Sequence, residues 1–324
     1  MTFWQPTASI DVLRYRAKTL FSIRKFFYEK GILEVEVPLL GKTGVTDPFI
    51  DCFELNINNE TKYLQSSPEY FMKRLLASGS GPIYSLGKAF RAEQAGNKHQ
   101  PEFTILEWYR INFDESQLMA EIADLMRTLE ICYSHRSIRY LDVFKEHTSL
   151  NPHQSPLYDL QKLASITSGN DFFDKDRSCC LDLIFSLCIE PKLPRGLVFV
   201  YDYPVCQSAL AQQKKDNDGF LVARRFEVYL DNLELANGYF ELNNFDQHIK
   251  RFAKDNIVRE KLAKKTISID RDFLESIKSG LPVCSGVAIG IDRLIMRILG
   301  LNDITEVISF GSTKSSNIRL INKK

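Results

Sequence analysis

Residues 90–110, FRAEQAGNKHQPEFTILEWYR, gather charged and aromatic side chains at spacings that suit chemistry on phosphate and carboxylate groups. The pattern predicts a strand, a polar loop and a second strand. Arg91 and Glu93 stand two apart, as do Phe103, Ile105, Glu107 and Tyr109 in turn, so each set shares one strand face. A guanidinium there can fork onto a phosphate, and the Phe103 ring offers a flat face to a purine. The loop 94–101, with Gly96, Asn97, Lys98 and His99, reads as a mobile, donor-rich lid able to wrap a polyphosphate. Further along, Glu227, Glu234 and Glu241 stand seven apart, and residues 284–294, CSGVAIGIDRL, read as a glycine-bearing strand passing into a helix. On the residues alone, ordinary readings compete with these: an amphipathic hairpin with an Arg–Glu cross-strand pair, a ladder of solvated glutamates, a glycine used for packing.

The elements that must position these residues follow from periodicity. Leu13, Ala17, Leu20, Phe21 and Phe27 predict an amphipathic helix over 11–30, stopped by Gly31. Residues 34–37 alternate as a strand ended by Pro38. Residues 53–57 and 62–65 flank Asn58-Asn59-Glu60 as a hairpin. Ser67 is the expected N-cap of the next helix, with Pro68 at its first position and Gly79 and Gly81 at its close. A strand around Tyr84 then leads into the first of the two chemical strands. A helix is expected over 114–132, and the mixed region 135–194 carries an apolar helix near 181–188 but no visible chemistry. Residues 197–201 suit a buried strand, 225–229 and 233–238 two strands joined near Asp231-Asn232, and Asn237-Gly238 a bend before Glu241.

FRAE followed by HQPEFTILEWY resembles motif 2 of the class II aminoacyl-tRNA synthetases, in the form found in lysyl-tRNA synthetases. The helix, strand and proline near the N-terminus resemble motif 1, and residues 284–294 resemble motif 3. The resemblance spans residues 11–310 with the motifs in order. It implies an α+β fold, the class II catalytic domain, an antiparallel mixed sheet flanked by helices, here a single domain over 1–324 with no anticodon-binding domain. It also implies residue roles. Arg91 would hold the α-phosphate of ATP and Arg293 would lie over the adenine opposite Phe103, which makes the two arginines the expected catalytic residues. Ala92, Glu93, His99, Gln100, Leu235 and Gly290 would complete the ATP site. Glu227 and Glu234 would bind Mg2+ on the phosphates. Ser67, Pro68, Glu69, Glu107, Tyr109, Asn237 and Ala288 would surround the substrate amino acid, and Glu241 would receive its side-chain ammonium.

The chain departs from the lysyl-tRNA synthetase pattern at Ala209, where those enzymes usually carry proline, and at Ala288, where they have glycine. With the missing anticodon-binding domain, these departures make the chain resemble the elongation factor P–(R)-β-lysine ligase family. That family activates (R)-β-lysine as an adenylate and transfers it to a lysine of elongation factor P. The implied partners are elongation factor P, β-lysine and a second copy of the chain in a homodimer, with tRNA not expected as acceptor. Two readings from other classes stay open: a truncated lysyl-tRNA synthetase charging tRNA, and an inactive regulatory paralogue. Gln100 stands where the family usually has asparagine, and the tail 311–324 has no recognisable match.

Bulk composition sets the outer bounds. At 324 residues and 44% hydrophobic content the chain can bury a full core. Its 42 basic and 41 acidic residues leave a net charge of +1, so no global field favours nucleic acid. Seven cysteines without C-x-x-C spacing and five scattered histidines suit reduced thiols and no zinc site. With no signal peptide and no long apolar run, a soluble cytoplasmic protein with no membrane segment is expected.

Overall fold

The computed structural model describes residues 4–131 and 134–312. Its strands are β1 (Leu33–Glu34), β2 (Leu40–Gly41), β3 (Glu54–Ile57), β4 (Glu60–Leu64), β5 (Ile83–Phe90), β6 (Glu102–Ile111), β7 (His135–Arg139), β8 (Leu197–Pro204), β9 (Gln213–Lys215), β10 (Leu221–Leu230), β11 (Leu233–Phe240) and β12 (Cys284–Gly290). Its α-helices are α1 (Ile10–Glu29), α2 (Glu69–Ala77), α3 (Glu115–Thr128), α4 (Tyr140–Thr148), α5 (Leu157–Ser168), α6 (Arg177–Ile184), α7 (Phe245–Lys261), α8 (Arg271–Gly280) and α9 (Ile291–Ile298). Nine strands form the main sheet in the order β1-β5-β6-β12-β11-β10-β8-β7, with β9 on β10, and β2-β4-β3 make a small second sheet. The pairs β1 with β5 and β7 with β8 are parallel and the rest antiparallel. The expected α+β architecture, a mixed sheet flanked by helices, is what forms.

The period of two along β6 divides the molecule. Leu106 and Trp108 point to the side where α1 and α3 pack, and they share a core with Ile23, Phe27, Leu118, Ile122 and Leu125. Trp108 donates its indole N–H to Glu121 Oε2 at 3.1 Å, so its one polar atom is satisfied. Burying each such large apolar side chain contributes about 1.5–3 kcal/mol. A second core joins α4 and α6 to β8 through Tyr140, Phe144, Leu181, Val198 and Tyr203. A third, where Tyr70 of α2 stacks on Phe273 of α8 at 4.3 Å, closes the other rim. Caps follow the sequence: Ser9 accepts from Val12 N, and Asp114 forms a full capping box with Gln117.

Several expectations change in the folded chain. Only Leu33 and Glu34 pair as strand; Val35 and Val37 satisfy their alternation by docking on the third core. On α1 the buried residues are Thr19, Ile23, Phe26 and Phe27, whereas Phe21 is 67% exposed. Helix α2 begins at Glu69, with Pro68 just outside it, although Ser67 Oγ still accepts from Glu69 N at 3.0 Å. Strand β5 ends at Phe90, so Arg91 and Glu93 lie in the loop. Arg91 N donates to Pro101 O at 2.9 Å, and Pro101 has no N–H with which to continue the ladder. The Asn237-Gly238 bend does not exist: both residues are inside β11, and a Cβ at Gly238 would overlap the Phe226 ring. The actual hairpin turn is Asp231-Asn232, both at positive φ. Ala209 has φ +42°, a conformation closed to proline, so the residue found there and the local backbone agree. Cys132, the expected end of the third helix, and the tail beyond residue 312 lie outside the described residues.

Candidate active site

On the sheet face opposite α1 and α3 lies a cavity of about 820 Å³. Strand β12 forms its floor with Gly286, Ala288 and Gly290, all small, while β6 and β11 on either side carry the large polar groups. Register aligns four of the expected residues in one row across four strands: Glu107, Ala288, Asn237 and Glu227. The sequence could mark each strand, but only pairing brings residues 120 positions apart into line, Glu107 on β6 with Glu227 on β10.

One end of the cavity is anionic. Glu69, Glu107 and Glu241 all line it, and Glu241 is buried rather than part of a solvated ladder. Ser67 Oγ donates to Glu107 Oε2 at 2.6 Å and Tyr109 Oη donates to Glu107 Oε1 at 2.6 Å. Lys73 Nζ reaches Glu69 Oε1 at 2.6 Å and Glu241 Oε2 at 2.7 Å. Burial pushes the carboxyls of Glu107 and Glu241 up, Glu69 adds to both, and Lys73 pulls both part of the way back. Burial also opposes the Lys73 charge, but Glu241 and Glu69 outweigh it and hold the ammonium protonated. Lys73 was not singled out from the sequence, where it reads as an ordinary i,i+4 partner of Glu69.

The other end is cationic and aromatic. The Arg91 guanidinium sits 5.1 Å from the centroid of Phe103, and its buried Nε has no acceptor. Arg293 donates to Lys98 O and Glu234 O, each at 3.1 Å, and to His99 Nε2. Burial and the Arg293 charge hold His99 below its ordinary range, which keeps that ring nitrogen an acceptor. The arginine found over Phe103 is thus Arg91, while Arg293 braces the loop. That loop is also tied to Ile304, whose N donates to Asn97 O at 2.9 Å. Asp292 anchors the start of α9: it accepts from Thr104 N at 2.7 Å and pairs with Arg16 at 2.7 Å. Gln100 is buried at the cavity wall and bonds both ends of its amide to the Ser312 backbone, at 3.0 and 2.8 Å.

Glu93, Leu235 and Asn237 line the cavity as expected, whereas Ala92, Pro68 and Glu227 do not. Ala92 instead donates its N–H to Asp51 O at 2.7 Å. Glu227 commits one oxygen to Arg225 and the other to Tyr229. Arg225 in turn reaches Asn237 Oδ1 at 3.2 Å and Gln207 O at 2.8 Å. As a donor set for a divalent cation, the pair therefore splits. Glu234 fits: it lines the cavity with its side chain 41% exposed, and its charged neighbour Arg293 stands 3.6 Å away. Its partial enclosure by the cavity wall and the neighbouring Glu227 push its carboxyl up, and a cation would oppose both effects. Glu227 fits only as support from behind. The region read as free of chemistry also contributes to the wall, through Asp176, Arg177 and Asp182 of α6 and its cap. Asp182, raised to about 6 by burial, accepts from Gln207. No local signal marks it, because α6 reaches the cavity through tertiary packing alone.

A mixed sheet with a cavity cationic at one end and anionic at the other is what a synthetase that joins a nucleotide to an amino acid requires. Residues 4–314 match the class II tRNA synthetases (D, K and N), and the chain belongs to that family. Within it, the chain is similar along nearly its whole length to proteins named elongation factor P–(R)-β-lysine ligase. It is 42% identical over 315 residues to the one from Pasteurella multocida, covering 95% of this chain and 97% of that protein. Identity is 43% over 314 residues with the Histophilus somni protein, at the same coverage. With the Photorhabdus laumondii protein it is 40% over 321 residues, covering 96% and 98%. No helix among the described residues is long and apolar enough to cross a membrane.

Proposed function

We propose that the chain activates (R)-β-lysine with ATP and transfers it to a lysine side chain of elongation factor P in the cytoplasm; the reading is supported by relatives named elongation factor P–(R)-β-lysine ligase. The observation that carries this reading is the division of one cavity into a cationic, aromatic end and a carboxylate end. An aminoacyl adenylate with a charged amine has that same polarity along its length. Phe103 takes the adenine, and Arg91, whose Nε lacks an acceptor, takes the α-phosphate. Gly290 leaves the space beside it open to the nucleotide, since a Cβ there would meet nothing closer than 3.9 Å. Glu234 would hold Mg2+, with Glu227 behind it bonded to Arg225 and Tyr229. When bound, the cation supplies charge neutralisation at the phosphates.

In the first step a substrate carboxylate oxygen bonds to the α-phosphorus as the bond to the β-phosphate oxygen breaks, releasing pyrophosphate. Arg91 and Arg293 offset the negative charge that develops. In the second, the acceptor amine bonds to the activated carbonyl carbon and AMP leaves. No side-chain nucleophile is required. Glu241, Glu107 and Glu69 receive the substrate ammonium groups, and a neutral analogue would leave the negative charge that Lys73 does not offset without a partner. A homodimer is part of the proposal. Ile10, Ala17, Phe21 and Tyr28 form an exposed stripe along one face of α1, next to exposed Leu33.

The test is mass spectrometry of purified elongation factor P after incubation with this protein, ATP, Mg2+ and (R)-β-lysine. A gain of one β-lysyl group on one lysine is expected. Transfer to tRNA with the factor unmodified would refute the acceptor.

A further inference from the structure

Lys73 is fully buried and lies behind the cavity wall, whereas its partners Glu69 and Glu241 both face the cavity. It is a positioning residue that cannot touch a substrate. The groups facing it come from five directions: Glu69 on its own helix, Glu241 beyond β11, Glu107 and Tyr109 on β6, His248 on α7 and Cys284 on β12. Three of these are carboxylates that line the site; Lys73 is the cation in contact with two of them, whereas Arg251, the other cation near His248, donates to Ala209 O and Ala211 O. With all three ionised, as they are when ammonium groups are bound against them, three negative charges and one positive leave two negative charges.

We propose that Lys73 sets the charge of the amino-acid pocket at minus two, so that it matches a substrate carrying two ammonium groups, an inference that rests on the diamino acid reading above. The cation spreads Glu69 and Glu241 about itself and keeps them ionised without occupying any of the space a substrate would use. Without it, three carboxylates of like charge, two of them buried, would share one site, and protons would enter to relieve their repulsion. A carboxyl protonated in that way cannot accept from an ammonium until the proton leaves, so the diamine binds more weakly and the more so as pH falls. Selection for two amines over one is therefore built partly from a residue outside the pocket.

The experiment is pyrophosphate exchange with (R)-β-lysine and with 3-aminohexanoic acid, which lacks the distal amine, across pH 6 to 9. Lys73→Met is expected to raise KM for β-lysine at least tenfold at neutral pH with KM for ATP unchanged. It should also move the acid limb of kcat/KM upward by about one pH unit, equivalent to a tenfold loss at the acid end. Glu69→Gln should reduce the preference for β-lysine over the mono-amine about tenfold, because one negative charge then remains. The double variant, Glu69→Gln with Lys73→Met, returns the pocket to minus two and should prefer β-lysine more strongly than Glu69→Gln alone. That last comparison stands even if Lys73→Met alone fails to fold. A folded Lys73→Met with wild-type KM and acid limb, or a double variant no better than Glu69→Gln, would overturn the proposal. Failure of the functional reading is separate: it appears in the wild-type protein. Exchange with α-lysine but not β-lysine refutes that reading and leaves the same series to be run with α-lysine. No exchange with any amino acid refutes both.

Discussion

Gly286 and Tyr109 face each other across β12 and β6, and a single methyl at Gly286 would overlap the Tyr109 ring and lie 2.5 Å from Glu241 Oε1. The glycine is the space into which the pocket's tyrosine and glutamate fit. Gly286→Ala is expected to cost about 1–3 kcal/mol in stability through overpacking. It should also raise KM for the amino acid far more than KM for ATP. Denaturant unfolding and pyrophosphate exchange measure the two effects, and a variant with normal amino-acid KM would show that the pocket has slack.

Arg91→Ala should reduce amino-acid-dependent pyrophosphate exchange on the order of a hundredfold or more, the usual effect of removing a preorganised charge from a transition state. Because Arg91 also covers Phe103, ATP affinity measured by calorimetry should fall as well. Unchanged exchange would remove Arg91 from the phosphate site.

Ala288 pairs with Glu107 on one side and Asn237 on the other, on the floor of the cavity. Its methyl should disfavour an amine on the carbon next to the substrate carboxylate and tolerate one a carbon further on. Ala288→Gly is expected to raise activity with α-lysine relative to β-lysine, by about tenfold to two-hundredfold if the methyl accounts for the whole discrimination. An unchanged ratio in a folded variant leaves Ala288 a packing role only.

His248 is buried against Phe252 and Phe273, and its Nε2 donates to Leu242 O at 2.8 Å. Burial, then Lys73, lower its pKa to about 3. The unfolded chain takes up this proton near the ordinary value of about 6.5, before the folded one does. The group therefore costs no stability above that pH and progressively more as pH falls from about 6.5 toward 3, at about 1.4 kcal/mol per unit. His248→Gln, which retains a donor for Leu242, should flatten this part of the acid dependence. Urea midpoints at pH 7 and 5.5 for both proteins check it, and parallel losses would place the acid sensitivity elsewhere.

Phe21 and Tyr28, 67% and 84% exposed on α1, should be covered in the homodimer. Phe21→Glu is expected to yield a monomer by light scattering at working concentration with its fold retained. A monomeric wild-type protein of full activity would contradict the dimer.

Much of this protein was legible in one dimension because local rules govern it. Alternation assigned β6, apolar periodicity assigned α3, side-chain type marked Arg91, Phe103 and Glu107, and the resemblance to motif 3 marked Arg293 before any fold was known. What the sequence could not decide was set by contacts between distant residues. Asn237-Gly238 has the composition of a turn, but the Phe226 ring needs the space beside Gly238, and packing holds the pair inside a strand. Arg91 keeps the strand period, but Pro101 opposite it ends the ladder. Glu227 and Glu234 share a spacing and a residue type, and the partners Arg225 and Tyr229 take one away from the cavity while the other faces into it. Lys73 shows the same limit: in sequence it is a helical partner of Glu69, and only the arrival of Glu241 some 170 residues later turns it into the buried charge of the pocket. Propensity and pattern act over a few residues, whereas burial and charge are fixed by whatever the whole chain brings alongside.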